Sequence, residues 1–279
     1  MSENILQSLD DVAETLLIPL YIRALESQRT DAIIKDPIAV NLIQQIKYDY
    51  SSIKLQEHDK VAIILRLRKF DRHVQEFLAR HADAVVVHIG CGLDTRFERV
   101  DNGRVEWYDL DLPEVIALRR RFIGEKGERQ HYLSCSMFDS EWLDIVGMHR
   151  LRPFLFMAEG VLPYFSEAEV KSFIQTLLRH FPGAELVCDA HTPLTIWLDN
   201  LQLIFSKMKA RLHWGLKRGK DLESWGDGIT LLDEWFYFDR PEPRLSRMRW
   251  VRAIPPLAKS TGIFHYQLGQ PVTESLSMM

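Results

Sequence analysis

Gly90 and Gly92, in the run Gly90-Cys91-Gly92-Leu93-Asp94-Thr95 directly after the apolar stretch from Ala84 to Ile89, have the makings of a ligand loop. Without a Cβ the backbone can approach a bound molecule closely, and the helix start that follows offers free N–H groups. A loop for a dinucleotide places a third glycine where this chain has Thr95, which argues against a bound pyrophosphate. Taken alone the loop also reads as a βα turn with no ligand. Asp109 and Asp111 follow about 20 residues later, where a carboxylate reaches a ribose diol. Strand alternation puts both on one side, and either also serves as an N-cap ahead of Pro113. Ribose without pyrophosphate points to an adenosyl ligand. Glu159 ends the apolar run Phe154-Leu155-Phe156-Met157-Ala158, where a charge must be compensated by something.

Other chemistries fit less well. The histidines form no His-x-x-x-His or His-x-Glu pattern with cysteine spacing, so no metal site is expected. No G-x-S-x-G elbow supports a hydrolase, and the glycine loop lacks the G-K-[ST] ending of a nucleotide triphosphatase. Arg119, Arg120 and Arg121 read as a solvated helix face. A formal net charge of −4 gives no global basic field, so nucleic acid is not an expected partner. Cys91, Cys135 and Cys188 are odd in number and set among apolar residues, which fits reduced thiols in a cytoplasmic enzyme. The first ten residues lack an apolar h-region and no stretch has the length of a membrane span, so no membrane association is expected.

These residues need a scaffold. From Ile5 to about Arg80 apolar residues recur at threes and fours (Leu16, Leu20, Ala24; Val61, Ile64, Leu65, Leu67), predicting helices, one of them capped by Asp36-Pro37 and running to Ile46. From Ala84 the pattern changes to short β-branched runs: 84–90, 105–111, 131–135, 153–158 and 184–189, with a last strand over 262–268. Ser166 to Glu169 is a capping box opening a helix stopped at Pro182-Gly183, and Thr192-Pro193 caps another. Strands alternating with helices predict a mostly parallel sheet wound on both faces. One elaborated domain over 1–279 is expected: a helical region (1–80), a ligand-binding core (84–190), an aromatic-rich cap (191–245) holding four of the seven tryptophans, and C-terminal strands (246–279).

Three segments together carry a resemblance: His88-Ile-Gly-Cys-Gly-Leu-Asp-Thr-Arg96, Asp109-Leu-Asp-Leu-Pro-Glu-Val115 and Ala158-Glu-Gly-Val-Leu-Pro-Tyr-Phe165. With Arg23 to Arg29, Asp36-Pro37, Arg66-Leu-Arg-Lys-Phe-Asp71 and Phe181 to Asp189, the chain resembles the leucine carboxyl methyltransferase family, in its bacterial polyketide-methylating branch. The resemblance implies a class I methyltransferase fold with a seven-stranded sheet, and S-adenosyl-L-methionine as cofactor, leaving S-adenosyl-L-homocysteine. It implies that Arg66 pairs with the methionine carboxylate (Arg68 if the register slips) and that Gly90 lies against the amino-acid moiety, with Gly92 and Asp94 in the same loop. Asp111, with Asp109 near, would hold the ribose; Ser136 and Met137 would frame the adenine; Glu159 would face the amino group or the sulfonium. Two departures, Leu67 for the usual threonine and Glu98-Arg99-Val100 for an arginine-leucine pair, touch loop detail.

A sulfonium methyl is already electrophilic, so the chain's work is alignment and exclusion of water. A carboxylate acceptor needs no base, whereas a phenol of pKa near 10 benefits from one. With no base motif in the sequence, and with the name of the family it resembles, a carboxylate acceptor is favoured over a phenolic hydroxyl. Trp197, Phe205, Trp214, Trp225, Trp235 and Phe236 would enclose a planar, polyketide-like acid or simply pack the cap; Tyr164, Trp197 and Trp225 are the candidate acceptor contacts. Three functions compete: a small-molecule O-methyltransferase, a protein C-terminal carboxyl methyltransferase with an open groove, and a non-catalytic binder of the cofactor. A nicotinamide oxidoreductase stands behind them for want of the third glycine.

Overall fold

The computed structural model describes residues 16–53, 55–205 and 211–270, the side chains of residues 52 and 202–205 excepted. The expected helix over residues 5–15 and the Phe205 side chain lie outside them. Three helices lead: α1 (Leu17–Ser27), α2 (Pro37–Gln45) and α3 (Glu57–Arg80). Asp36 caps α2 by accepting from Ala39 N at 2.9 Å, with Pro37 at the first helical position as the sequence indicated. The same carboxylate takes Arg23 at 2.9 Å and Thr95 at 2.6 Å, which fastens the helical region to the glycine loop. In α3 the buried residues Phe70, Val74 and Phe77 recur every three or four positions and form the face laid on the sheet, while Ile64 and Leu67 pack with Ile22 of α1 and Ile34.

The core begins at β1 (Val85–Ile89), buried along its whole length, as expected of a parallel strand covered on both faces. Then come α4 (Arg96–Val100), β2 (Glu106–Asp111), α5 (Pro113–Phe122), β3 (Gln130–Ser134), α6 (Glu141–Gly147), β4 (Phe154–Ala158), α7 (Glu167–His180), β5 (Ala184–His191) and α8 (Pro193–Phe205). The chain closes with β6 (Ile229–Phe236), α9 (Pro255–Ala258) and β7 (Thr261–Leu268). The sheet order is β3-β2-β1-β4-β5-β7-β6; the first five strands are parallel, and β7 runs antiparallel to β5 and β6. Order reverses between β1 and β4, the crevice where open α/β sheets bind ligands beyond their carboxyl ends.

Side chains of β1, β4 and β5 alternate between two cores. Val86, Leu155, Met157 and Val187 meet Phe70, Val74 and Phe77 of α3; Val87, Phe156 and Leu186 meet Trp142 of α6 and Phe173, Ile174 and Leu177 of α7. The capping box of Ser166 and Glu169 that starts α7 is formed. The reading of 191–245 as a cap is corrected in its later half: residues 229–236 are β6, the edge strand paired to β7, so 246–279 contributes the single described strand β7. No described helix is long and apolar enough to cross a membrane.

Glu185, at the start of β5, is gripped by Arg80 through bonds of 2.9 and 2.8 Å and by His265 Nε2 at 2.7 Å. Burial alone would raise its pKa; the bonds from His265 and Arg80 prevail and bring it from 4.5 to about 2. A depressed carboxylate contributes stability that is complete above the unfolded value and lost as pH falls through the folded one. Glu185→Gln is therefore expected to lower stability at pH 7 by about 2–3 kcal/mol and to flatten acid unfolding between pH 4.5 and 2. Urea titrations at pH 7 and 3 check this: an equal deficit at both pH values contradicts it.

Candidate cofactor site

The glycine loop is shaped by its neighbours. Gly90 (φ 61°) and Gly92 (φ 51°) occupy the left-handed region. A Cβ on Gly90 would lie 2.3 Å from Val161 Cγ2, so the loop after β1 rests directly on the loop after β4. Arg119, expected to be solvated, is 1% exposed and clamps the loop instead. It donates to Gly92 O at 2.9 Å, Asp94 O at 2.7 Å and Asp109 Oδ2 at 2.7 Å. The signal was present: Val115, Leu118 and Arg119 share one buried face of α5.

Two sequence candidates take different parts from those expected. Asp109 is 1% exposed, and its oxygens accept from Trp107 Nε1, Arg119 and Gln130 at 2.9, 2.7 and 2.8 Å. Burial opposes its charge, yet Arg119, His88 at 3.5 Å and the bond from Trp107 hold its pKa below the usual value. Asp94 is likewise buried, 3.0 Å from Arg99 and 3.2 Å from Arg96. Burial works against it too, but Arg96, Arg99 and Arg23 keep it well below the ordinary carboxylate range. Both acids are spent on protein cations and brace the loop from within the core.

Asp111 differs. At the carboxyl end of β2 it is partly exposed, and its bonds come from backbone donors: Gly92 N at 2.7 Å and Leu112 N at 2.8 Å. Burial raises its pKa, and those two N–H groups offset that only in part. Across the edge, Cys135 N bonds Asp111 O at 3.1 Å, which brings the turn after β3 alongside. There Ser136 is half-buried and held by Asp139 at 2.9 Å, while Met137 packs into the core and gives its carbonyl to Trp142 Nε1.

On the other side of the crevice, α3 delivers Arg66 to the ends of β4 and β5. Its Nε donates to Glu159 Oε1 at 2.9 Å and its Nη1 to Asp189 Oδ2 at 3.0 Å. Nη2 has no acceptor among the described residues and lies 3.4 Å from where a Cβ on Gly160 (φ 67°) would stand. Burial disfavours the guanidinium charge, but Asp189 and Glu159 outweigh it and raise the pKa. Glu159 is held from below by Arg96 Nη2 at 2.6 Å, and Asp189, fully buried, also accepts Gly160 N at 2.7 Å. Arg68, the alternative, is exposed. Asp189 was not singled out from the sequence, although a lone acid closing the apolar run Leu186-Val187-Cys188 was a signal.

The acceptor-side candidates separate. Tyr164 lies in the short 3-10 turn Leu162–Tyr164 that follows β4 at the ligand edge. Trp197 is 59% exposed on the outer face of α8. Trp225 is partly buried and packs on the main core against Trp214, ring centroids 6.0 Å apart, and its carbonyl takes Gln175. Trp214 and Phe236 are buried.

The edge therefore offers a backbone cradle, a carboxylate with only backbone donors, and a braced guanidinium with one nitrogen to spare. That set suits a ligand with a ribose at one end and an α-amino acid at the other. Comparison with known proteins agrees. The family model for leucine carboxyl methyltransferase matches residues 17–178, more than half the chain. The tetracenomycin polyketide synthesis O-methyltransferase TcmP of Streptomyces glaucescens is 35% identical over 92% of this chain and 97% of its own. An S-adenosyl-L-methionine-dependent methyltransferase of Gibberella zeae, dpfgK, is 27% identical over 88% of each chain. Among solved structures, a DUF574 family protein of Streptomyces avermitilis superposes with a TM-score of 0.58 at 14% identity, over 91% of this chain and 96% of that one, a likeness of fold. The chain belongs to the leucine carboxyl methyltransferase family and is an S-adenosyl-L-methionine-dependent O-methyltransferase.

Proposed function

We propose that the chain methylates an oxygen of a small aromatic acceptor of polyketide type. The observation that carries this is the closure of the acceptor side. Residues 211–216 are strapped across the ends of β4 and β5: His213 N and Trp214 N bond Pro163 O at 2.7 and 3.2 Å, and Leu216 N bonds His191 O at 2.8 Å. Asn200 of α8 fixes the same strap through Leu212 O and N at 2.7 and 2.8 Å. A closed edge suits a small molecule, whereas a protein C-terminus needs an open groove. The likeness to TcmP extends over this region, beyond the part matched by the family model.

When bound, S-adenosyl-L-methionine supplies an electrophilic methyl group. In this reading Arg66 Nη2 takes its carboxylate, Glu159 its amino group, and Gly90 lies against that moiety with no side chain to obstruct it. Asp111 accepts from the ribose hydroxyls, with Gly92 setting its carboxylate, and Ser136 and Met137 border the adenine. Held at both ends by these residues, the cofactor would present its methyl group in a fixed place, so that alignment would precede the arrival of the acceptor.

Asp111→Asn is expected to separate binding from folding. The amide removes a charge that burial disfavours and keeps an acceptor for Gly92 N–H but loses the one for Leu112 N–H, so the two effects offset and the free protein changes little in stability. Cofactor affinity falls by about 1.5–3 kcal/mol, the scale of hydrogen bonds to charged groups. Calorimetry alongside thermal unfolding reads both; unchanged affinity removes the ribose role.

A carboxylate acceptor is favoured by the lack of a base motif together with the family name, and both a carboxylate and a hydroxyl oxygen fall within the proposed function. The proposed function is tested by incubating the protein with methyl-labelled S-adenosyl-L-methionine and a set of hydroxylated aromatic acids. Transfer to these and not to protein bands is expected; labelling of a protein C-terminus alone contradicts it.

A further inference from the structure

The chain has a formal net charge of −4, yet the stretch from Arg240 to Lys259 holds six basic residues and one acid. It opens with the 3-10 helix Pro243–Ala253, in which side chains three apart line up in rows. The inward row is Leu245 and Val251, both buried, with Met248 half-buried between them, and Leu245 packs with Val61 and Leu65 of α3. Arg244 ties the helix down through Glu26 at 2.8 and 2.9 Å and Glu57 at 3.3 Å. The two outward rows carry Arg247 with Trp250, and Arg249 with Arg252, all exposed.

Among the described residues none of Arg247, Arg249 and Arg252 has a carboxylate partner; Arg252 reaches the backbone O of Asp239 at 3.5 Å. Beside them lie apolar side chains in water: Trp250 is 55% exposed, Ile254 40% and Leu257 36%, the last two flanking Pro255 and Pro256. The backbone here asks nothing of the solvent. Ile254 N bonds Val251 O, the prolines have no N–H, and the N–H groups of Leu257, Ala258, Lys259 and Ser260 all bond carbonyls between residues 254 and 257. Ser260 O in turn accepts Thr192 N at 2.8 Å, just past the outer end of β5, so α9 stands at the ligand edge of the sheet.

We infer that this face lies on an anionic lipid bilayer, with Trp250 at the depth of the headgroups, Ile254 and Leu257 against the acyl chains, and the three guanidiniums on lipid phosphates. A second copy docked by a two-fold axis would set these arginines against their own images, like charge on like. A soluble acidic partner would answer the guanidiniums but has no use for a turn whose N–H groups are all satisfied internally. That is the condition for entering a medium without water. The sequence argues against a spanning stretch, and a segment lying in the interface needs none. The inference does not depend on which oxygen is methylated.

The test sediments the full chain with sucrose-loaded vesicles of phosphatidylglycerol and phosphatidylcholine in equal parts, and with vesicles of phosphatidylcholine alone. Binding to the mixed vesicles is expected to be at least about 10-fold tighter and to weaken with salt. Arg247→Gln, Arg249→Gln and Arg252→Gln together should lower that affinity by at least about 30-fold. Trp250→Ser should lower it too, and should reduce the quenching of tryptophan fluorescence by lipids with brominated acyl chains. Melting temperature and cofactor affinity should stay at wild-type values in both variants, since these side chains are exposed. Failure to sediment with either vesicle, or equal sedimentation of the wild type and the arginine variant, overturns the inference. Salt-sensitive binding with no quenching from Trp250 gives the face to a soluble acidic partner, and a solution dimer that Trp250→Ser dissociates gives it to a second copy; either overturns the lipid reading. All of these outcomes leave the methyltransferase reading intact.

Discussion

Arg66→Met is expected to destabilise the fold by about 3–5 kcal/mol, the cost of breaking a buried ion pair from one side, and to abolish measurable cofactor binding. Arg66 is the cation that joins Glu159 and Asp189 at the crevice, and those side chains are 6% and 0% exposed. Glu159 retains Arg96, but among the described residues Asp189 keeps only Gly160 N–H. Methionine replaces the aliphatic stem and none of the donors. Arg66→Lys keeps a charge but, as a point donor, cannot serve two carboxylates and a ligand in one plane, so it should fall between the two. Thermal unfolding and calorimetry measure both effects; a Met variant with wild-type melting and affinity contradicts the assignment.

The second large effect is at Gly90. Alanine there must adopt φ near 61° and place its Cβ 2.3 Å from Val161 Cγ2. The left-handed backbone costs roughly 1–2 kcal/mol and the overpacking a further 1–3 kcal/mol. Part of that is relieved by moving the loop, which displaces the cradle. Gly90→Ala should therefore lower both stability and cofactor affinity, while Gly90→Ala with Val161→Ala recovers the clash component and not the backbone strain. Such non-additivity is the signature of direct contact. Simple addition of the two single effects would show that the two loops do not touch.

Much of this architecture is legible in the chain because buried parallel strands read as apolar runs ending in glycine or acid: β1, β2 and β4 are found within a residue or two of their expected limits. β6 is not, for a physical reason. It is an edge strand in which Thr230, Leu232, Asp233 and Glu234 are all exposed, and an irregularity between Leu231 and Asp233 breaks its alternation. Its aromatic residues therefore looked like a cap.

The site divides the same way. Residue type and spacing identify the glycine loop and the acids around it, yet do not say which acid is spent internally. That is decided by Arg23, Arg96, Arg99 and Arg119, which arrive from α1, α4 and α5 to neutralise Asp94 and Asp109 and leave Asp111 without a salt-bridge cation among the described residues. Long-range pairing of charges has no periodic trace in one sequence.

The central claim is that one edge of the sheet grips an adenosyl amino acid at two ends, by Asp111 and by Arg66 with Glu159. The most direct measurement is a crystal structure with S-adenosyl-L-homocysteine. The ribose hydroxyls are predicted on Asp111, and the carboxylate on Arg66 Nη2 with the Glu159 and Asp189 bonds intact. A ligand bound with its ribose away from Asp111, or with its carboxylate on another cation, contradicts the account.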